Sequence, residues 1–268
     1  MNQASDPVLA VAVRAARTAA SIVVDAARDL KRLPTFSKEQ AGIVSGADME
    51  AEDAIVATIR GAFPDHAILG EESGTIPGAR ESGGSRWLVD PIDGTANFIH
   101  GYPSYAISIA FIQGAEITHA VVLDPVRDEL FTATRAKGAT CNGVTMHVSA
   151  CLRLEDALIG TMLPSRENPK LADHLYTFGA LASQCAGLRQ TGSCSLLLAH
   201  LAAGRLDGFW MTSLKPWDIA AGALLVREAG GRIGDFAGGA QFLRTSEVIA
   251  AGTGVFNPLR EAIAASRT

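Results

Sequence analysis

Cysteine is scarce in this chain and is not arranged as a zinc site. The sequence has only Cys141, Cys151, Cys185 and Cys194, with no Cys-x-x-Cys pair and no histidine at zinc-ligand spacing. We therefore expect four reduced thiols, most of them buried. The spacing gives no support for a structural zinc or for a fold held together by disulfides.

Long basic runs, low-complexity tails and internal repeats are also absent. The formal net charge is −5, and the densest basic region, positions 28–32, is short and indicates a solvated helix end. An acidic chain without a long Lys/Arg block is a poor candidate for bulk binding to nucleic acid, so we expect no direct contact with it. Nothing in the composition favours disorder or a solenoid.

The N-terminal region lacks a basic leader followed by an unbroken apolar run. The apolar stretch that begins at Val8 is interrupted by Arg14 and Arg17, so we expect neither a signal peptide nor a membrane span. A cytoplasmic protein with no membrane partner is the expectation that follows by elimination.

What the chain does contain is enough apolar sequence for a large core. Hydrophobic residues make up 48% of it and charged residues 19%, which suffices for one large domain or for two packed halves. Helical and strand patterns mix throughout, so a layered α/β (mixed α+β) protein is the natural class. We treat residues 1–268 as a single domain with possible halves at 1–150 and 151–268.

Local patterns predict the main elements. Helices are predicted from Asp6-Pro7 to about Leu30, from an N-cap at Asp48 to about Gly61, from Pro169 to Ser183, after Gly192, and from Trp217 to Ala229. Strands are predicted at 67–69, 87–89, 105–112, 117–123, 129–134, 157–162 and 206–210, and a loop is predicted after the segment at 70–73, up to residue 85. Because Ala51 stands three residues after Asp48, no reciprocal capping box is expected there.

The most informative segment is the sequence WLVDPIDGT at positions 87–95. Its two acids, Asp90 and Asp93, stand three positions apart directly after a short apolar run that predicts a buried strand. Proline restricts the backbone between them and Gly94 allows a tight turn. Both carboxylates and the carbonyl of Ile92 can therefore be aimed at one point, and such oxygen ligands suit Mg²⁺.

The same segment also predicts an anion site. Gly94 and Thr95 open a short helix, whose backbone N–H groups and dipole favour a bound anion. The same residues could also form an ordinary turn with no bound ion, since Asp-Pro and Asp-Gly are common in turns. The segment taken alone leaves that alternative open.

Three other segments carry acids or small residues at the ends of predicted elements. They are GEES at 70–73 after a strand, WD at 217–218 at a helix start, and Gly192-Ser193 before a helix. Taken alone, GEES favours a solvated loop, WD also fits a helix cap beside a packing tryptophan, and Gly192-Ser193 also fits a simple helix cap. Together with positions 87–95, they favour one constellation of carboxylates.

This combination resembles the inositol monophosphatase family, within the lithium-sensitive, magnesium-dependent phosphatases. The motifs that carry it are GEES at 70–73, DPIDGT at 90–95, DPVRDE at 124–129, KPWD at 215–218 and EAGG at 228–231. The third and fourth are most similar to the bacterial SuhB-like branch. The resemblance extends from the first helix to about residue 262. It implies a layered αβαβα sandwich, as in fructose-1,6-bisphosphatase, and a homodimer.

The resemblance also implies roles for individual residues in hydrolysing a small phosphomonoester with water. Ligands for two or three Mg²⁺ ions would be Glu71, Asp90, the Ile92 carbonyl, Asp93 and Asp218. Catalytic residues would be Glu71, Asp48 and Thr95, the last two resembling the pair that orients and deprotonates the water. Substrate contacts would come from Asp93, Gly94, Thr95, Gly192, Ser193 and Asp218.

Several positions fit the family pattern less well. Lys38 lies one residue short of the position of a family lysine on a mobile loop, and Glu72 would act only through metal-bound water. The usual Ala-Ala after Ser193 is Cys194-Ser195 here.

Met211 is the departure that matters most for the substrate. Inositol-specific members carry a glutamate there, seven residues before the aspartate at 218, and it binds ring hydroxyls. A thioether is only a weak hydrogen-bond acceptor. Inositol 1-phosphate or a related polyol or sugar phosphate is the expected substrate.

Other functions remain open. The rival substrates are histidinol phosphate, fructose 1,6-bisphosphate and 3'-phosphoadenosine phosphate. From a different class, some SuhB-like relatives assist transcription complexes without catalysis. The intact set of metal ligands argues against a purely non-catalytic role.

Overall fold

The structure is a computed structural model that describes residues 6–30, 34–38, 42–80 and 83–267, with side chains omitted at 36–38 and 42–44. The helices in this part of the chain are α1 (Pro7–Ala27), α2 (Gly46–Ala62), α3 (Thr95–Ile99), α4 (Leu171–Ala182), α5 (Cys194–Ala202), α6 (Pro216–Glu228), α7 (Phe242–Thr245) and α8 (Thr253–Ala265). The strands are β1 (Thr35–Lys38), β2 (Gly42–Ser45), β3 (Ala67–Gly70), β4 (Gly74–Ile76), β5 (Ser85–Asp93), β6 (Ala106–Gln113), β7 (Glu116–Asp124), β8 (Glu129–Thr134), β9 (Ala139–Cys141), β10 (Val144–Thr145), β11 (Leu158–Thr161), β12 (Gly187–Gln190), β13 (Gly208–Thr212), β14 (Arg232–Gly234) and β15 (Glu247–Ala251).

A large and a small mixed sheet form the framework. The large sheet has the order β10-β9-β8-β7-β6-β5-β3-β4 and is antiparallel except where β3 runs parallel to β5. The small sheet has the order β12-β11-β13-β15-β14, with β11 parallel to both of its neighbours. β1 and β2 form a separate antiparallel hairpin.

Helices cover both sheets and separate them. One apolar cluster joins α1 and α2 to one face of β5, β6 and β7. A second fills the space between the sheets with α5 and α6. A third packs α8, with Leu181 of α4, on the outer face of β13 and β15. The order of the layers is therefore αβαβα, as the resemblance implied.

Helix α1 shows how a long apolar helix is used in this core. Its N-cap is Asp6, whose Oδ1 accepts hydrogen bonds from the N–H groups of Val8 and Leu9 at 3.2 and 3.3 Å, as predicted. The helix is long and apolar enough to cross a membrane by length and composition, with a mean hydropathy of 1.6. Its buried face, which includes Ala15 and Val23, packs against α2 and the large sheet. That packing is typical of a core helix.

The structure corrects the predicted start of α2. The N-cap is Ser45, which has an extended backbone, and Asp48 is the third residue of the helix. Oδ2 of Asp48 accepts hydrogen bonds from the N–H and the hydroxyl of Ser45, at 2.8 and 2.6 Å. The reciprocal capping arrangement that was not expected is therefore present, three residues earlier than predicted.

Several other predictions also need correction. The strand predicted at 87–89 extends from Ser85 to Asp93, and β4 lies inside the predicted loop. The cysteines are free, but only Cys194 is buried while the other three are partly exposed. The short strands β9, β10, β12 and β14 carry no long apolar pattern and were not predicted, and neither were β15 and α8 near the C-terminal end.

Candidate functional site

The candidate site begins where β5 loses its regular pairing with β6. Asp90 pairs with Ser108 and Asp93 with Ala106, so three steps along β5 match two along β6. In an unbroken strand, side chains three positions apart point to opposite faces. The extra residue of a β-bulge reverses this alternation. The bulge therefore allows Asp90 and Asp93 to face the same space.

Asp90 lies at the centre of a cluster of acids. Its side chain is buried, and Oδ1 accepts a hydrogen bond from the N–H of Ile92 at 3.1 Å. Burial raises the pKa of the Asp90 carboxyl well above its usual range, and nearby carboxylates raise it further. Those carboxylates are Glu71, Asp93, Asp218 and Asp48. The structure therefore brings together the acids predicted from four separate segments.

Glu71 and Asp218 approach the cluster from two other elements. The N–H of Glu71 donates to the carbonyl of Val89 at 3.1 Å, which continues the β3–β5 pairing. Asp218 is in the first turn of α6, where Oδ2 accepts a hydrogen bond from the N–H of Lys215 at 2.7 Å. Burial raises the pKa of Asp218 well above its usual range, and the charges of Asp93 and Glu71 add to the effect.

Asp93 connects the end of β5 to the start of α5. Its Oδ2 accepts hydrogen bonds from the Ser193 hydroxyl at 2.7 Å and from the N–H and hydroxyl of Ser195 at 2.6 and 2.5 Å. Burial raises the pKa of Asp93, while these hydrogen bonds oppose the rise. The contact to Ser193 joins two predicted site residues that are 100 positions apart.

Asp48 and Thr95 are also in direct contact. The Thr95 hydroxyl lies 2.9 Å from Oδ1 of Asp48 and 3.1 Å from the carbonyl oxygen of Ile92. Asp48 is fully buried, and its other oxygen is held by Ser45. A carboxylate in this position can accept a proton by way of a hydroxyl group or a water molecule beside Thr95.

Two glycines let the backbone segments of the site approach closely. Gly94 has a φ of +106°, and a Cβ there would lie 3.0 Å from the carbonyl oxygen of Ser104. Gly192 has a φ of +83°, and a Cβ there would lie 2.6 Å from Nδ2 of Asn97. Any side chain at either position would push the segments apart.

Asn97 is a functional-site residue that the sequence did not reveal. Its Nδ2 donates to the carbonyl oxygens of Ser104 and Thr191, both at 2.7 Å. It thereby ties the turn at Gly192 to the helix that follows Gly94. No sequence signal pointed to it, because the contact that joins it to the Gly192 turn is made to a residue 94 positions away.

Glu52 is a second residue that the prediction missed. Its buried carboxylate accepts hydrogen bonds from the N–H groups of Glu72 and Ser73, at 2.9 and 2.7 Å. A Cβ on Gly70 would lie only 2.5 Å from that carboxylate. Glu52 therefore holds the turn that carries Glu71. Its position four residues after Asp48 on the same helical face could have indicated it.

The acids of the site fit a hard divalent cation. Asp90, Asp93 and Asp218 form no salt bridge with any described residue. Burial raises the pKa of each carboxyl, and repulsion from neighbouring carboxylates raises the pKa of Asp90 and Asp218 further. A bound cation would relieve that repulsion, and carboxylate and carbonyl oxygens suit Mg²⁺.

No ready-made cage is present, since no three His, Cys, Asp or Glu side chains in the described ranges form a metal-ligand cluster. Mg²⁺ needs none, because it binds through one or two carboxylates, waters and substrate phosphates.

Three further predicted positions can be located. Met211 lies on β13 and is buried in the apolar cluster between the sheets. Lys38 ends β1, but its side chain lies outside the described atoms. Glu72 lies in the turn that Glu52 holds, and its catalytic role stays a prediction.

The chain is similar over nearly its whole length to known proteins. A family model described as the inositol monophosphatase family matches residues 4–267. The "Nus factor SuhB" of Pseudomonas aeruginosa is 47% identical over 258 residues, which cover 94% of each chain.

Solved structures agree with that similarity. The extragenic suppressor protein suhB of Bartonella henselae superposes with a TM-score of 0.92 at 39% identity, covering 96% of this chain and 98% of that one. An inositol monophosphatase from Anabaena gives a TM-score of 0.85 at 31% identity, covering 96% and 95% of the two chains. The chain therefore belongs to the inositol monophosphatase family.

Proposed function

We propose that this protein is a Mg²⁺-dependent phosphatase that hydrolyses small phosphate monoesters by direct attack of water. The observation that carries the proposal is the cluster of buried acids around Asp90, in which burial and, after it, mutual repulsion raise the pKa of Asp90 and Asp218. A site made of carboxylates would repel a phosphate dianion on its own. It can bind a phosphate only when cations neutralise the carboxylates. Membership of the inositol monophosphatase family and the similarity to a solved inositol monophosphatase support a phosphatase of this kind.

Glu71, Asp90, the Ile92 carbonyl, Asp93 and Asp218 would hold two or three Mg²⁺ ions. When bound, such ions neutralise phosphate oxygens, acidify water and stabilise the leaving oxygen. The protein's own groups supply position and proton transfer. Thr95 and Asp48 would orient the attacking water and accept its proton, supported by their 2.9 Å contact.

The substrate would be held mainly by its phosphate. The backbone around Gly94, Thr95, Gly192 and Ser193 would contact the ester, in keeping with the close approach of these segments. Met211 supplies no strong acceptor for a ring hydroxyl. We therefore infer activity on several small polyol or sugar phosphates, with inositol 1-phosphate among them but not strongly preferred.

Phosphate release from a panel of monoesters tests the proposal. The panel comprises inositol 1-phosphate, glycerol 2-phosphate, histidinol phosphate, fructose 1,6-bisphosphate and 3'-phosphoadenosine phosphate, each with Mg²⁺ and with excess chelator. Turnover should need Mg²⁺ and should be inhibited by Li⁺. Full activity in chelator, or no activity on any ester with Mg²⁺, would refute the proposal.

A second candidate function comes from the names of the relatives. The proteins called "Nus factor SuhB" in Pseudomonas aeruginosa and Escherichia coli are 47% and 41% identical to this chain. A role in a transcription complex would require contacts that the phosphatase chemistry does not use. Replacing the native gene by one encoding Asp93→Asn separates the two. Normal growth with loss of phosphatase activity would favour the non-catalytic role, and a growth defect equal to that of the deletion would favour catalysis.

The resemblance to the inositol monophosphatase family also implies an oligomeric state and a cellular location. We infer a homodimeric cytoplasmic enzyme in which residues 1–268 act as one domain. Sedimentation velocity of the purified chain measures the oligomeric state directly.

A further inference from the structure

Asp93 is held from one side by donors of a single segment, residues 193–195. Its Oδ2 accepts hydrogen bonds from the Ser193 hydroxyl (2.7 Å), the Ser195 N–H (2.6 Å) and the Ser195 hydroxyl (2.5 Å). Both serines are fully buried, so water does not compete for these bonds. The first turn of α5 therefore keeps the Asp93 carboxylate in one orientation.

Ser195 supplies two of these three donors, one from its backbone and one from its side chain. An alanine would keep the N–H group and lose only the O–H group. The side chain thus adds a hydrogen bond to a carboxylate that the backbone already holds.

We propose that Ser195 is a positioning residue for the Mg²⁺ site to which Asp93 contributes, an inference that rests on the proposed function. Its hydroxyl helps to fix the plane of the Asp93 carboxylate, so that this ligand would meet the cation in one orientation. Partners that orient a metal ligand in this way commonly strengthen metal binding by roughly 10- to 100-fold.

The hydroxyl could in principle act in the opposite direction, by competing with the cation for Oδ2. The geometry argues against competition. A carboxylate oxygen offers about two lone-pair sites, and without the Ser195 hydroxyl Oδ2 still accepts from Ser193 and from the Ser195 N–H. Removing the hydroxyl would not release Oδ2 to a cation, so its remaining effect is on orientation.

The same contact links the cation site to the packing of α5. Asp93 ends a strand of the large sheet, whereas Ser195 lies 102 positions later in the helix between the sheets. A cation that binds Asp93 in its held orientation should therefore also stabilise the docking of α5. The rise in melting temperature on adding Mg²⁺ should be smaller when the hydroxyl is absent.

Calorimetric titration of the full chain with Mg²⁺ tests the inference. Asp93→Asn identifies the binding step to which Asp93 contributes. Ser195→Ala should weaken that step by about 10-fold or more and leave any other step unchanged. Ser149→Ala is the matched control, because the Ser149 hydroxyl donates to Asp207 at 2.5 Å outside the site. It should leave every binding step unchanged.

The titration distinguishes failure of this inference from failure of the proposed function. Unchanged or tighter Mg²⁺ binding in Ser195→Ala, while wild type binds Mg²⁺ and releases phosphate, would overturn the inference alone. A wild-type chain that binds no Mg²⁺ would overturn both. If Ser195→Ala does not fold, Ser195→Cys keeps the size with a weaker donor. It should weaken the same step, and wild-type affinity there would equally overturn the inference.

Discussion

The hydroxyl oxygen of Thr95 lies 2.9 Å from Oδ1 of Asp48, although the two residues are 47 positions apart. Thr95 follows the bulged end of β5, and Asp48 is in the first turn of α2. Because Ser45 occupies the other oxygen of Asp48, the carboxylate cannot turn away from Thr95 without losing two hydrogen bonds. The Asp48 carboxylate, the base of the proposed mechanism, is therefore already oriented.

Removing the Thr95 hydroxyl should therefore slow turnover with little effect on folding. Thr95→Val keeps the shape and removes the donor, and we expect kcat to fall by about 10²-fold or more, the usual contribution of a positioned proton-transfer group. Thr95→Ser keeps the hydroxyl and should stay close to wild type. Steady-state kinetics with a common phosphomonoester measure both, and equal activity of Thr95→Val and wild type would contradict the assigned role.

Glu52 should prove necessary for the turn that carries Glu71. Glu52→Gln replaces one of its two acceptor oxygens by a donor, so one N–H of that turn loses its partner. The free energy of unfolding should fall by about 1–3 kcal/mol, and Mg²⁺ should bind more weakly. Glu50→Gln, an exposed change on the same helix, is the control for both urea unfolding and Mg²⁺ titration. Identical behaviour of the two variants would refute the prediction.

Gly192 should tolerate no side chain, and the chain offers a control that separates backbone strain from collision. Gly192 and Gly114 both have positive φ, of +83° and +63°, but only at Gly192 would a Cβ meet another group. Gly114→Ala should cost about 1–2 kcal/mol of stability for the left-handed backbone alone. Gly192→Ala should cost more and should also reduce activity. Urea unfolding measures both variants. Equal losses in the free energy of unfolding would contradict the prediction, because they would show that Asn97 can move aside at no energetic cost.

His174 should make the protein less stable in mild acid. It is buried against Trp210, with ring centroids 4.1 Å apart, and burial lowers its pKa from 6.5 to about 4. Between those values the unfolded chain binds the proton more readily than the folded one. The free energy of unfolding should therefore fall as pH decreases through this window, by on the order of 3 kcal/mol.

Substituting the histidine should remove that slope. His174→Gln cannot titrate, so its free energy of unfolding should change less between pH 6.5 and 4 than that of wild type. His100→Gln makes the same substitution at an exposed histidine at the end of α3 and is the matched control. Urea unfolding across the pH range measures all three proteins. A wild-type slope that persists in His174→Gln would contradict the prediction.

Met211 should limit discrimination among substrates. Met211→Glu introduces a charge-assisted acceptor of the kind that contributes about 1.5–3 kcal/mol, so the preference for inositol 1-phosphate over glycerol 2-phosphate should rise by roughly 10- to 100-fold. Because Met211 is buried, the variant should also be less stable. Met211→Gln, with a neutral acceptor, should give a smaller change in the kcat/KM ratio. An unchanged ratio in a folded, Mg²⁺-bound Met211→Glu protein would refute the prediction.

The sequence alone determined the fold class, the family and most of the long elements, but not helix α8 (Thr253–Ala265). Helical periodicity and a proline after an N-cap residue define α1, and continuous apolar runs define the β6–β7 hairpin. These signals are local, because a helix turn or a strand alternation spans only a few residues. The spacing of Asp90 and Asp93 likewise indicated a joint role before their positions were known.

Only the tertiary structure decided how the separate motifs meet. The β-bulge sets Asp90 and Asp93 towards one space, and Ser195 closes on Asp93 across 102 positions. Glu52 and Asn97 became site residues only through partners elsewhere in the chain. Such contacts arise from the packing of sheets and helices around a shared core, and local sequence patterns carry no record of which distant groups that packing brings within hydrogen-bond distance.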